Sequence, residues 1–431
     1  MGEASLGPGS ESIEVLSLND VPGLYLLLQG QHNLELVLDP DGSVPEVDRG
    51  NNSFALERDF NFQLLDLRPD APADSNWPGP VVIGGSNVVY GREDDAAERG
   101  YCLAYGVTYH GDERAQAWPQ QHSIEMNEYQ INQWVFYYDL DPLSGPDDVQ
   151  VHALPIWKVA VGGNPVLLGN QSFTINIDES NAVVESDEEN YTLTGVVRLP
   201  PSQPRTIVDT PDSERATVYP VYAVPAGALD EQWDINGAIE SIVADLQAWL
   251  RLRTHGRGII WDEANGSLDI TFIRLERSAS ELAGFSKPWK PVIEELHRNG
   301  LNGPNKIYAV RHPSVSRVSE TVLCGVQTEH ESVSYAFSFF ERVAGGKNVC
   351  VNQPVTMAHE LFHAFGAVAP CATNYASDHA AGVEDDPNDL MYSGDRFGIP
   401  IELDERRDDY FDHKIPGCVD TADSPYLEPR R

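Results

Sequence analysis

The stretch Gln353-Pro354-Val355-Thr356-Met357-Ala358-His359-Glu360-Leu361-Phe362-His363-Ala364-Phe365-Gly366 decides how the C-terminal half of this 431-residue chain is read. A proline at its start sits where the first turn of a helix needs no N–H, Asn352 or Gln353 supplies a cap, and Gly366 supplies a stop. Between these signals His359 and His363 lie four residues apart, so a helix places both imidazoles on one face, one turn above the other. Neutral imidazoles at that spacing suit Zn²⁺. Glu360, beside the first of them, is placed to take a proton from a zinc-activated water and to pass it on to a leaving amine. The bland alternative is a surface helix with two solvated histidines. Val355, Met357, Leu361, Phe362, Ala364 and Phe365 leave too little polar face for it, and buried polar groups need compensation that a metal provides.

Working outward, the residues before this helix read as mixed α and β. Ile235, Ile239, Ile242, Leu246 and Trp249 recur at helical spacing and predict a long amphipathic helix over 231–253. Residues 267–275, 306–310 and 334–340 read as strands, and 292–298 as a short helix ended by Asn299-Gly300. Further upstream the pattern changes. Residues 1–200 carry short runs of aromatic and β-branched residues, such as Gln133-Trp134-Val135-Phe136-Tyr137-Tyr138, punctuated by Gly, Pro, Asn and Asp. An internal repeat stands out: Asp39, Val44, Glu46, Asp48, Asn51 and Phe54 recur as Asp178, Val183, Glu185, Asp187, Asn190 and Leu193. In both copies an apolar alternating strand precedes an acidic turn and a second strand follows it, the signature of a hairpin. The Pro-rich stretch Leu199-Pro200-Pro201-Ser202-Gln203-Pro204 reads as a linker.

Two resemblances follow from these motifs. The repeated strand, D-x4-V-x-E-x-D-x2-N turn and strand resemble the closing hairpin of bacterial cell-adhesion-related (CARDB-like) domains, which are immunoglobulin-like β-sandwiches of secreted and surface proteins. The acidic turns offer carboxylates at alternating positions that would suit Ca²⁺, although Asp and Asn favour such turns for backbone reasons alone. His359-Glu360-x-x-His363-x-x-Gly366, together with Asp389-Leu390-Met391-Tyr392-Ser393-Gly394, resembles the metzincin clan of zinc peptidases. In that clan Gly allows a sharp exit from the active-site helix and a Met-turn lies beneath the metal. The chain departs from the pattern at Ala369, where a third ligand would stand. Resemblance to secreted bacterial zincin-like proteins, with a His shortly before an acidic D-x-P-x-D-L-M-Y run, points instead to His379. Its rivals are Asp378, Glu384, Asp385, Asp386, Asp389 and His413. Tyr375, Tyr392 and Tyr410 are each placeable at an oxyanion, and none is assigned.

Composition narrows the class of protein. Against 29 Lys+Arg stand 67 Asp+Glu, a formal charge of −38, so nucleic acid is excluded as a natural partner and anionic membrane is disfavoured. No run of apolar residues is long enough to insert in a membrane. The chain as written opens on polar, acidic residues; export then implies a signal already removed. Of the five cysteines, Cys371 with Cys418 and Cys324 with Cys350 make a plausible pairing, one of three that four cysteines allow, with Cys102 left over.

The expectation is a multidomain chain. An N-terminal all-β part of immunoglobulin-like sandwich modules (1–68, short for a full sandwich, and 76–200) is followed by a linker (201–214) and an α+β zincin-like catalytic domain (215–431). The expected function is that of a secreted zinc-dependent metalloendopeptidase acting on a protein or peptide substrate. Zn²⁺ would be held by His359, His363 and His379, Glu360 would be general base and acid, and the sandwich modules would attach the enzyme to a cell surface or matrix. The alternative is a non-catalytic surface adhesion or binding protein keeping a structural zinc in a degenerate zincin domain.

Overall fold

The computed structural model describes residues 30–37, 53–60, 66–70, 81–82, 88–92, 101–110, 120–126, 129–135, 149–156, 168–176, 192–210, 215–313, 316–318, 321–342, 348–350, 353–376, 382–393 and 402–430. Among these, no helix is long and apolar enough to cross a membrane.

The repeat forms two hairpins. Gly30–Val37 pairs antiparallel with Ser53–Phe60, and Gly169–Asn176 pairs antiparallel with Thr192–Leu199. Each strand of the second lies 139 residues after its counterpart, and the register is the same: Gly30 faces Phe60 as Gly169 faces Leu199. The acidic turns, and with them the Ca²⁺ expectation, lie outside the described residues. The second hairpin extends into a four-stranded antiparallel sheet with Gln120–Met126 and Tyr129–Val135. A second antiparallel sheet is built around Tyr101–His110, which pairs with Asp66–Asp70, Val88–Arg92 and Val149–Pro155. Alternation turns Phe173, Ile175, Val197 and Leu199 inward, where they share one core with Leu103 and Tyr105 of the other sheet. Two antiparallel sheets with a common apolar interior make a β-sandwich module. The break expected after residue 68 falls inside a strand of this sandwich.

From residue 215 the chain builds a five-stranded sheet. Its strands are β1 (Thr217–Ala226), β2 (Thr271–Ser278), β3 (Lys306–His312), β4 (Gly325–His330) and β5 (Val333–Phe339), in the spatial order β2-β1-β3-β5-β4. The pairs β1–β2, β1–β3 and β3–β5 are parallel, while β4 runs antiparallel to β5 along the edge. Both faces are covered, which is why β3 is buried at every position. On one face Tyr219, Val221, Tyr308, Val310, Tyr335 and Phe337 pack with helix α2 (Trp289–Arg298). On the other, Val218, Tyr222, Ile307 and Ala336 meet helices α1 (Ala238–Arg253) and α3 (Gln353–Ala364). The face of β5 under α3 carries only Ser334, Ala336 and Ser338, small enough for the helix to lie close. Gln353 ties it down, accepting from Arg311 Nη1 at 3.0 Å and Ser338 Oγ at 2.5 Å through Oε1 and donating to the Cys350 carbonyl at 2.6 Å.

Helix α1 starts seven residues later than its periodicity predicts. Residues 231–237 form a turn instead, held by Asn236 donating to the Glu231 carbonyl (3.1 Å) and by Glu231 N–H donating to Tyr222 (3.1 Å).

Residues 201–210, read as a linker, are stitched onto the following domain. Ser202 N–H donates to Ile235 and Phe272 N–H to Thr206, at 2.8 and 2.9 Å. The Arg205 guanidinium grips Asp234 at 2.7 Å and Asp230 at 2.6 Å. Lys306 bridges Asp209 (2.8 Å) and the buried Asp262 (2.7 Å). The two disulfides are Cys324–Cys350 and Cys371–Cys418, and Cys102 is buried and outside both bridges.

Two consequences are measurable. The Asp234 side chain is fully buried against Arg205, which is itself 27% exposed. Arg205→Met should therefore cost about 2–3 kcal/mol in chemical unfolding, less than the ~3–5 kcal/mol of a wholly buried broken pair, and open residues 200–215 to limited proteolysis. An unchanged midpoint and cleavage pattern would mean that the segment is only resting on the domain. His312 is buried at the end of β3, donating from Nδ1 to the Ala223 carbonyl at 2.7 Å. Burial pushes its pKa down to about 4, outweighing that hydrogen bond. The unfolded chain takes up this proton first, so the stability tied to a neutral His312 is complete above pH ~6.5 and is lost as pH falls toward 4. In His312→Gln that part of the stability–pH curve should flatten, by up to roughly 3 kcal/mol at pH 4.

Candidate functional site

Helix α3 lies over β5 and β4 and beside α1, with Met357, Ala358, Leu361 and Phe362 buried and the His359–His363 edge less so. Gly366 ends it at φ +96°, a conformation costly for other residues. Val419 crosses so close that a Cβ on Gly366 would stand 2.9 Å from its Cγ1. The Cys371–Cys418 bridge fastens the same crossing.

The two imidazoles converge. His359 Nε2 and His363 Nε2 are 3.1 Å apart, with the rings edge-to-face at a centroid distance of 4.7 Å. His359 Nδ1 is 2.7 Å from the Leu390 carbonyl oxygen. A carbonyl can only accept, so Nδ1 carries the ring proton and Nε2 presents a lone pair toward His363. Either a proton on His363 Nε2 or a cation shared by both nitrogens satisfies the pair. Burial, with the neighbouring His359, pushes the His363 pKa down to about 3, so its ring is neutral, the form that either donates one N–H or ligates a metal. Two nitrogens bound at about 2.0–2.1 Å to a tetrahedral zinc lie ~3.3 Å apart, close to the spacing found. A ring whose far nitrogen is held by a carbonyl is also the common second shell of a metal-bound histidine. The residues present fit a zinc ion.

The Leu390 carbonyl is itself held in place. Asp389 Oδ1 accepts from Met391 N–H at 2.6 Å and from the Tyr410 hydroxyl at 2.9 Å, and the Asp404 N–H donates to Tyr410 at 3.0 Å. Asp389, Leu390, Met391 and Tyr410 are all buried. Burial raises the Asp389 pKa to about 7 against the pull of these hydrogen bonds. Tyr410 is thus a structural strut beneath the site. An Asp two residues before the bonded backbone N–H makes this an Asx turn.

Glu360 points to the edge strand. The Gln327 N–H donates to its carboxylate, and burial pushes its pKa up to about 8 despite that bond. Gly325 makes the approach possible, since a Cβ there would sit 2.4 Å from Glu360 Oε1 and 2.6 Å from its Cγ. This contact between a helix and a strand 33–35 residues earlier had no signal in the sequence.

His379 and Asp378 lie outside the described residues. The flanks of their segment are fixed: Tyr375–Ala376 pairs antiparallel with Gly382–Val383, and Val383 exchanges hydrogen bonds with Met391 and Ser393 at 3.0 Å. Of the described rivals, Asp389, His413 and Asp386 are hydrogen-bonded elsewhere. Asp389 supports the Met391 turn, and His413 accepts from Ile415 N–H through Nδ1 and donates from Nε2 to Val419. Asp385 clusters with Asp408 and Asp409, and Asp386 accepts from Asn388 N–H.

No protein-family profile matches the chain, and no curated protein matches it closely. Among solved structures it is similar to a CARDB domain from Pyrococcus furiosus, crystallised in complex with di-metal ions, at 16% identity and TM-score 0.19 over 32% of this chain and 96% of that one. The solution structure of that domain gives 19% identity and TM-score 0.19 over the same shares. OgpA from Akkermansia muciniphila is similar at 16% identity and TM-score 0.29, over 46% of this chain and 60% of that one. Likenesses this distant assign no activity.

Asp389→Ala removes two acceptor contacts in a buried turn. It should cost about 1–3 kcal/mol of stability in chemical unfolding. An unchanged unfolding midpoint would show that the turn does not depend on these contacts.

Proposed function

We propose that the chain is an exported zinc-dependent metalloendopeptidase, with its β-sandwich module attaching it to a surface or a macromolecular substrate. The observation that carries this reading is the convergence of His359 and His363 Nε2 at 3.1 Å, with the His359 proton fixed on the opposite nitrogen by Leu390. His359 and His363 would hold the ion, with His379 as third ligand; the anchoring of that residue's flanks beside Met391 supports the choice. When bound, zinc supplies Lewis acidity toward water and toward the carbonyl under attack.

The chain's own residues do the rest. Glu360 is the one carboxylate on α3, one residue from the first ring, and burial brings its pKa up to about 8, near the operating pH, as suits a group that takes a proton and gives it back. The edge strand β4 lies directly beside it, and among the described residues no second strand pairs with it beyond β5. An extended peptide laid along that edge would gain main-chain hydrogen bonds and bring a carbonyl near α3. The Met391 turn keeps the first ring from rotating away. Two disulfides and the lack of a membrane-spanning helix among the described residues are compatible with an extracellular protein.

The rival reading, a surface binding protein with a structural zinc, has one observation in its favour: the Glu360 carboxyl rests on Gly325 and Gln327. Zinc content and casein hydrolysis separate the two. The peptidase reading expects chelator-sensitive hydrolysis by the wild type, and Glu360→Gln that keeps its zinc while losing roughly 10²–10⁴ in rate. Zinc in both proteins with hydrolysis by neither would favour the binding role over the peptidase. Gly325→Ala, which forces the Glu360 carboxyl to move, should lower kcat with zinc retained; full activity would show that the contact is incidental.

A further inference from the structure

A second group of ligand-type side chains lies at the far end of β4. His297 sits in the last turn of α2, His330 is the final residue of β4, and Glu331 opens the two-residue turn into β5. One potential ligand atom from each lies within 4.8 Å of the others. His297 Nε2 is 3.3 Å from Glu331 Oε2, and the two imidazoles meet edge-to-face at a centroid distance of 5.1 Å. The residues come from two elements locked by other contacts: the α2 terminus by Asn299 and Gly300 N–H groups, the hairpin by its ladder with His330 opposite Val333. Glu331 and Ser332 both hold left-handed conformations, at φ 49° and 68°. That tight turn sets the carboxylate beside the helix instead of letting it swing into solvent.

An ion pair alone accounts poorly for this group. It engages only His297 and leaves the second imidazole, edge-to-face against the first, outside the pair. The neutral imidazole is the form in which histidine ligates metals. Two imidazoles and a carboxylate suit a borderline transition ion, whereas Ca²⁺ and Mg²⁺ prefer all-oxygen shells. The Glu331 side chain is 70% exposed, so water can complete the coordination and the ion can exchange.

We propose that His297, His330 and Glu331 form a second, exchangeable site for a divalent transition metal such as Zn²⁺, bracing the β4–β5 hairpin against α2. The braced strand is the one whose other end places Gly325 and Gln327 against Glu360. This site does not depend on the catalytic reading, because none of its residues belongs to α3.

The test uses the full chain carrying His359→Ala and His363→Ala, stripped of metal and titrated with Zn²⁺ against a chelating dye. One equivalent should still bind, and adding His297→Ala and His330→Ala should abolish it with the near-UV circular dichroism unchanged. Absence of residual binding, or an equivalent that survives loss of His297 and His330, overturns the site. Should the multiple variants unfold, Glu331→Gln alone in the otherwise unaltered chain decides: the weaker of two zinc equivalents must lose affinity, and an unaltered titration contradicts the proposal.

Discussion

The hydrogen bond from His359 Nδ1 to the Leu390 carbonyl is the constraint around which the C-terminal half is organised. It fixes the tautomer of one imidazole and thereby leaves a lone pair directed at its neighbour one turn along the helix. That lone pair is met by a neutral His363 N–H or by a cation held between the two nitrogens, and burial keeps the His363 ring in the neutral form that can ligate. Everything nearby serves to keep that carbonyl where it is. Asp389 bends the chain around Met391, Tyr410 props Asp389, and the Asp404 N–H orients Tyr410. The Cys371–Cys418 bridge closes the same subdomain over the helix exit.

The sheet supplies the opposite wall. Its parallel strands are buried on both faces, and one face of β5 is reduced to Ser334, Ala336 and Ser338 so that α3 can approach. Antiparallel β4 then brings Gly325 and Gln327 against Glu360. One edge strand is therefore shared by two regions, the helix with its histidines at one end and the His297–His330–Glu331 group at the other. The sandwich module is not an appendage on a loose tether either, since Arg205 and Lys306 bind residues 205–209 into the following domain.

Much of this was legible in the sequence because its causes are local. The cap, proline and glycine signals around α3 bound a helix observed over 353–364. The 139-residue repeat marked two hairpins that pair in one register, since alternation and turn length fix register locally. Both expected cysteine pairings formed. What escaped was tertiary. Ile235 continues the helical period, yet Tyr222 and Asn236 hold 231–237 in a turn. The Pro-rich stretch has the composition of a linker, but its Arg205 and Asp209 find partners 25 to 97 residues away. The Glu360–Gln327 contact depends on sheet order, which no periodicity encodes.

The most direct test of the central claim is X-ray absorption fine structure at the zinc edge on the purified full chain. The account predicts zinc with imidazole nitrogen scatterers at about 2.0–2.1 Å and at least one oxygen from solvent. A closed shell made wholly of protein ligands, or protein that retains no transition metal, would contradict it.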